Sequence, residues 1–374
     1  MCTAGKPASP VTGKLAAEQP LPDGRGSDRR GSDQSHDRQG VVSSEGTAPR
    51  GILVVRLGAM GDIIHTLPAV ARLKQNHPDA LLTWLVEPRW APLLEGNPFV
   101  DRVIHLNRRS LAGLLATRRE LRAAHYDFAV DFQGLLKSAL AGRAARPDRF
   151  YGFHQSQVRE RLAAWFYTDQ TLCRAEHVVE RNLELAAACG GGGIAPAPAI
   201  FPLPPGRPEG DLPPGDFVLA SPLAGWASKQ WPMDHYRGLA ARLRRELGVP
   251  LVLDGPAGAD FSAAEAAIPH HSSLAGLIYA TRRAVAVVGV DSGPLHLAAA
   301  LSKPGVAIFG PTDPARNGPY GDSLRVLRTA AATTTYKRGD TIDSSMRNIS
   351  PDEVFEVLRA LIGARRRPAG SLAE

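Results

Sequence analysis

Gly289-Val290-Asp291-Ser292-Gly293-Pro294-Leu295-His296 decides the reading of this chain. The stretch before it, residues 284–288, is short, apolar and β-branched, the pattern of a buried parallel strand. Small residues then open a helix over 295–301. Exposed N–H groups at such a helix start, with the positive end of the helix dipole, form an anion site. Phe309-Gly310-Pro311-Thr312-Asp313-Pro314 repeats the design after an apolar run at 306–309. A strand, a Ser-Gly turn and a His at the helix mouth suggest a nucleotide diphosphate as the ligand.

Strand and helix patterns alternate outward from there. Upstream lie a strand at 217–221, a helix at 233–247, a strand at 250–254 and a helix at 273–283; no clear apolar strand is readable between Ile268 and Leu274. A last helix over 351–362 starts with Ser350 as N-cap and Pro351 in the first turn. The N-terminal half reads strand 52–56, helix 62–75, strands 81–86 and 100–106, helix 111–124, strand 128–131 and helix 135–145, a pattern continuing to about Gly190. Between the halves, Gly190–Gly193 and a run of prolines from Pro196 to Pro214 mark a linker. This order predicts two α/β doubly wound parallel sheets, with the ligand in the cleft between them at the carboxyl ends of the strands. Residues 1–50, rich in Gly, Ser, Pro, Asp and Arg, are expected to be disordered.

The 374 residues suit two domains, and 44% apolar with 22% charged residues describes a soluble globular chain. No apolar run approaches the ~18–20 residues of a membrane span, and the opening residues lead to the expectation of no signal peptide. Cys2, Cys173 and Cys189 have neither metal nor disulfide spacing, which fits a reducing cytoplasm. The formal charge is +7; residues 1–50 carry seven Lys/Arg against six Asp/Glu, so +6 belongs to the body. Arginines cluster near 108–122 and 143–161, as solvated helix faces or as attraction to anionic lipid or phosphorylated sugar. With aromatics at 6% and none interleaved with the basic runs, nucleic acid is disfavoured.

The first strand-to-helix turn, Arg56-Leu57-Gly58-Ala59-Met60-Gly61-Asp62, has G-x-x-G spacing and not the three-glycine dinucleotide fingerprint. That disfavours a Rossmann-type oxidoreductase, although Glu87 ends the second strand where a ribose-binding acid would lie. Asp62 is either a helix N-cap or, facing the cleft, a general base. In Asp131-Phe132-Gln133-Gly134-Leu135-Leu136-Lys137-Ser138, Gln133 and Lys137 are candidates for acceptor hydroxyls or anions, and Asp131 and Gln133 equally for capping the helix and tying neighbouring loops. Lys229, fixed by Trp231-Pro232, is a candidate partner for a leaving diphosphate. No His spacing, Asp-x-Asp, Walker loop or G-x-S-x-G elbow is present, so no metal and no cofactor are expected.

Together, Arg56–Pro68, Asp131–Ser138, Lys229–Pro232, Val290–Leu301 and Phe309–Pro314 resemble the corresponding motifs of the ADP-heptose:lipopolysaccharide heptosyltransferases, glycosyltransferase family 9, nearest the heptosyltransferase I branch. The resemblance spans about residues 51–362. It implies a GT-B fold: an acceptor-binding Rossmann-like domain over 51–205, an ADP-heptose-binding one over 206–345, and a C-terminal helix within 346–374 crossing back to the first domain. It implies inverting, metal-free transfer of L-glycero-D-manno-heptose from ADP-heptose to a Kdo residue of the lipid A–Kdo inner core, at the cytoplasmic face of the inner membrane. Heptosyltransferase II, whose acceptor is already heptosylated, is the alternative. Asp62 would be the base and Lys229 would stabilise the departing ADP. Ala224, Gly225, Asp291, Ser292, Gly293, Pro294 and His296 would line the donor. Asp260 or Glu265 would hold its ribose. Gly61, His65, Gln133, Lys137, Arg108 and Arg109 would lie toward the acceptor.

Overall fold

The computed structural model describes residues 51–190, 198–335 and 337–366. The expectations for residues 1–50, for the glycine run at 191–193 and for the basic tail after 366 fall outside them.

In the first half, β1 (Gly51–Val55), β2 (Leu81–Val86), β3 (Arg102–His105), β4 (Phe128–Asp131), β5 (Arg149–Phe153) and β6 (Asp169–Thr171) form a parallel sheet in the order β3-β2-β1-β4-β5-β6. The helices are α1 (Met60–Asn76), α2 (Leu111–Leu121), α3 (Leu136–Ala144) and α4 (Val178–Gly190). Helices α1 and α4 pack together over Ile52, Val54, Trp84 and Val130, while α2 and α3 cover the opposite face with Leu53, Val55 and Ile104. A sheet covered on both faces explains why its strands read as unbroken apolar runs instead of alternating patterns.

The second half repeats this plan. Strands β7 (Val218–Ser221), β8 (Leu251–Gly255), β9 (Ile268–His271), β10 (Ala286–Val290), β11 (Gly305–Phe309) and β12 (Leu324–Arg328) are ordered β12-β11-β10-β7-β8-β9. The helices are α5 (Met233–Leu247), α6 (Leu274–Arg283), α7 (Gly293–Ala300), α8 (Pro314–Asn317), α9 (Ser344–Arg347) and α10 (Pro351–Arg366). Strand β9 is a correction: it occupies the stretch where the sequence showed no apolar strand. It lies at the sheet edge and pairs only with β8. Its buried residue is His270, whose ring bonds the Asp254 carboxylate at 2.8 Å and the Glu209 carbonyl at 2.8 Å. Hydrogen bonds replace apolar burial there, so hydropathy carries no signal.

The last helix also departs from expectation. It starts as read, with a capping box in which Ser350 Oγ accepts the Glu353 N–H at 3.2 Å and Glu353 Oε2 accepts the Ser350 N–H at 2.7 Å. It does not cross back to the first domain. Val354, Phe355, Leu358 and Ile362 are buried in the second core with Tyr236, Leu239 and Leu243 of α5. Arg242 of α5 fixes the pairing: it bonds Asp352 at 2.6 Å and Glu356 at 2.8 Å, and its guanidinium lies 4.0 Å from the Phe355 ring centroid. An amphipathic face says that a helix must be covered, not by which lobe.

The described part of the proline-rich linker is a strap held at both sides. Asn97 Nδ2 donates to the Pro202 carbonyl at 3.2 Å from the first lobe. From the second, Arg282 donates to the carbonyls of Leu203 at 2.8 Å and Pro204 at 3.1 Å.

Candidate active site

In each sheet the strand order reverses at one point, between β1 and β4 in the first and between β7 and β10 in the second. A ligand crevice opens at the carboxyl ends of the strands there. Most of the expected site residues sit at these four strand ends.

Asp62 lies in the first turn of α1 with its side chain 45% exposed, and its Oδ1 is 2.8 Å from the Arg56 guanidinium. Its other oxygen accepts the Ala59 N–H at 3.2 Å; Ala59 is the N-cap of α1, so Asp62 is not the N-cap expected from the sequence but sits three residues later and closes the cap with its carboxylate. Arg56 is buried and donates to the Phe132 carbonyl. Gln133 Oε1 accepts the Leu57 N–H at 2.8 Å, which ties the β4 loop to the β1 loop and commits that oxygen to structure. Asp131 is fully buried and accepts from Gln133 N at 2.8 Å, Ser138 Oγ at 2.7 Å and the Tyr167 hydroxyl at 2.8 Å. Burial pushes its pKa up despite these bonds.

Lys137 and Arg108 meet at Glu87. One Glu87 oxygen is 2.7 Å from Arg108 and 3.5 Å from Lys137, and the other is 3.1 Å from Arg89. Burial pushes the Glu87 carboxyl up, but Lys137, Arg108 and Arg89 outweigh it and hold the pKa below the usual value. Arg109 is exposed on the same loop. Three cations around one carboxylate leave a surplus of positive charge at the mouth of the first lobe.

On the second lobe, Lys229 Nζ bonds Asp291 Oδ2 at 2.5 Å and lies 4.4 Å from the Trp226 ring centroid. Trp231 anchors this loop by donating to the Ile349 carbonyl at 2.9 Å. Burial alone would raise the Asp291 carboxyl; His296, at 3.8 Å, and Lys229 hold it well below the carboxylate range. Ser292 precedes α7 with its hydroxyl buried and unpartnered among the described residues, as are Ser228 and Thr312. Ala224 packs on the second core and Gly225 is exposed with open space around it. Asp260 and Glu265 are exposed, and Asp260 accepts the Ser262 N–H at 2.9 Å.

The two lobes touch where α1 meets α7. A Cβ on Gly61 would lie 2.4 Å from the His296 ring, and one on Gly293 would lie 2.7 Å from Met60 Cβ. Glycine at both positions lets the two helix starts approach. Gly61 and His65, expected toward the acceptor, thus face the other lobe. His65 is buried, its Nε2 3.1 Å from His296 Nδ1, with the His177 ring beyond it. Burial lowers its pKa well below the usual value, helped by His296, His177 and Arg56. His296 joins the two lobes, with the His65 ring on its Nδ1 side and the Asp291 carboxylate facing its Nε2. Asp62 and Lys229 are therefore linked through Gly61, His296 and Asp291.

Residue-level reading missed Arg56, Ser228 and Thr312. Arg56 and Thr312 stand inside motifs singled out above, but only the fold shows the Arg56 side chain turning toward Asp62. Among the described residues, His125, Asp127 and Asp148 form the grouping spaced to share a metal ion. They stand just before β4 and β5, at the opposite end of the sheet from Asp131.

The model of glycosyltransferase family 9 (heptosyltransferase) matches residues 114–345. The chain belongs to glycosyltransferase family 9. Lipopolysaccharide heptosyltransferase 1 of Pseudomonas aeruginosa is 33% identical over 300 residues, covering 73% of this chain and 82% of its own. That of Escherichia coli K12 is 31% identical over 303 residues, covering 74% and 93%. The solved E. coli heptosyltransferase WaaC with ADP aligns with TM-score 0.70 and 27% identity over 83% of this chain and 99% of its own. This family 9 glycosyltransferase therefore has the GT-B arrangement expected from its motifs, apart from the last helix.

Proposed function

We propose that this glycosyltransferase moves L-glycero-D-manno-heptose from ADP-heptose to a Kdo residue of the lipid A–Kdo inner core in lipopolysaccharide biosynthesis, inverting the anomeric centre without a metal. The observation that carries the proposal is the packing of the two reversal points: the Asp62 turn of the first lobe lies against the Asp291–His296 turn of the second.

Asp62 takes the proton of the acceptor hydroxyl as its oxygen attacks C1 of the heptose. The bond from C1 to the diphosphate oxygen breaks on the opposite face, which inverts the centre, and its electron pair leaves with ADP. Arg56 holds the Asp62 rotamer toward the cleft. Lys229 has three donors, of which Asp291 takes one; the others, the start of α7 and the Ser292 and Thr312 hydroxyls answer the charge on the departing ADP. Ala224, Gly225, Gly293, Pro294 and His296 line the donor, and Asp260 is the candidate for its ribose. Lys137, Arg108 and Arg109 receive the acceptor's anions. No described helix is long and apolar enough to cross a membrane. A peripheral position on the cytoplasmic face of the inner membrane fits a lipid-anchored acceptor.

The test is ADP release with ADP-heptose and heptose-free inner core, with and without EDTA, beside Asp62→Ala. Release that needs acceptor, adds one heptose, persists in EDTA and falls by about 100-fold or more in the variant supports the reading. Turnover only on a mono-heptosylated core would move the chain to the heptosyltransferase II acceptor. Silence on both would overturn the transfer reading.

A further inference from the structure

The outer surface of the first lobe carries a feature that sugar transfer does not explain. Of ten large apolar side chains exposed among the described residues, six lie on three successive helical elements: Leu111, Leu114 and Leu115 on α2, Leu140 on α3, and Leu162 and Trp165 on the helical turn Arg161–Phe166. Leu111 is 80% exposed, Trp165 77% and Leu115 62%. These elements form one layer: α2 contacts α3, α3 contacts the turn, and Arg122 Nε donates to the Ala144 carbonyl at 3.0 Å across the α2–α3 seam. The remaining four exposed apolar side chains are Leu81, Leu172, Ile200 and Leu223, none of them on these elements.

Charge coincides with this surface. Between Arg108 and Arg161 the chain has eleven Lys/Arg against five Asp/Glu, nearly the whole excess of the molecule. Arg118, Arg119, Arg143 and Arg161 are exposed on the same layer. Apolar side chains standing among exposed guanidinium groups match the interface of an anionic bilayer, where Leu and Trp enter the acyl boundary and Arg meets lipid phosphate.

We infer that the face built by α2, α3 and Arg161–Phe166 docks this protein onto an anionic phospholipid surface. The loop that leads into α2 carries Arg108 and the first turn of α3 carries Lys137, so docking brings the acceptor-side mouth to the lipid. That benefit rests on the reading of a lipid-anchored acceptor; the docking itself does not.

The experiment is co-sedimentation of the full chain at physiological salt with phosphatidylethanolamine vesicles containing about one quarter phosphatidylglycerol, and with phosphatidylcholine vesicles. Binding is expected to the first only. Leu115→Ser with Trp165→Ser, and separately Arg118→Gln with Arg119→Gln, should each weaken it by about tenfold while thermal unfolding stays as in the parent. Brominated acyl chains should quench fluorescence in the parent more than in Trp165→Phe. The Leu115/Trp165 variant should use an acceptor stripped of acyl chains normally and an acceptor in vesicles poorly. Equal binding to both vesicles, variants that sediment like the parent, or a parent that self-associates through these residues without binding vesicles would overturn the inference. Vesicle binding as expected, with no transfer to either core acceptor, would leave the docking standing and remove the heptose-transfer reading.

Discussion

Lys229 and Asp291 form the tightest charge pair of the cleft, with both side chains largely out of water. Breaking such a pair from one side strands the other charge in a low-dielectric setting, which costs on the order of 3 kcal/mol. Lys229→Met should therefore lose both turnover and stability, measured as ADP release and as the urea midpoint. Adding Asp291→Leu removes the stranded charge and should recover most of the stability while turnover stays low. A double variant as unstable as the single one would mean that the loop, not the charge, is what Lys229 supports. Glu87 makes the opposite case: three cations surround it at the rim, and its half-exposed partners make each bond individually weak.

The α1–α7 contact sets the distance between the lobes. Gly61→Ala puts a methyl 2.4 Å from the His296 ring, so one helix must move; about 1–3 kcal/mol of destabilisation is expected, with a larger radius of gyration in solution scattering. The same seam makes stability depend on pH. His65 is held neutral in the folded protein, whereas in the unfolded chain it takes a proton below about 6.5. Its contribution is present above that pH and is lost as pH falls toward the lowered folded value. His77 and His177 are depressed as well and act with the same sign. Unfolding midpoints followed from pH 7 to pH 5 should drop steeply in the parent, and His65→Gln should flatten the slope by up to about 1.4 kcal/mol per pH unit. At this scale the sequence was informative where burial is apolar: β4 and α5 match the expected bounds, and α1 and α3 differ from them by one or two residues at each end. It was silent where polar bonds do the work, as in β9. For the site, the strand-end motifs placed Asp62, Lys229 and Asp291. They could not show that Gly61 and His65 face the other lobe, because that depends on contacts between residues more than two hundred positions apart.

Across the whole molecule, two copies of one topology are joined by little local structure and many long contacts. The second lobe needs its last helix, since Phe355 is fully buried between α5 and the sheet; Phe355→Ala should cost about 3–5 kcal/mol and be read as a fall in the unfolding midpoint. The strap at 198–214 has a different consequence. A flexible tether would let the halves drift apart once cut. Here Asn97 grips the strap from one side and Arg282 from the other, so continuity of the covalent chain is only one of the ways in which the halves are connected. A protease site inserted near Arg207 and cleaved in the folded protein should yield two fragments that co-elute on gel filtration and separate only in denaturant. The molecule would then work as a two-piece clamp whose halves could be expressed, labelled and recombined separately.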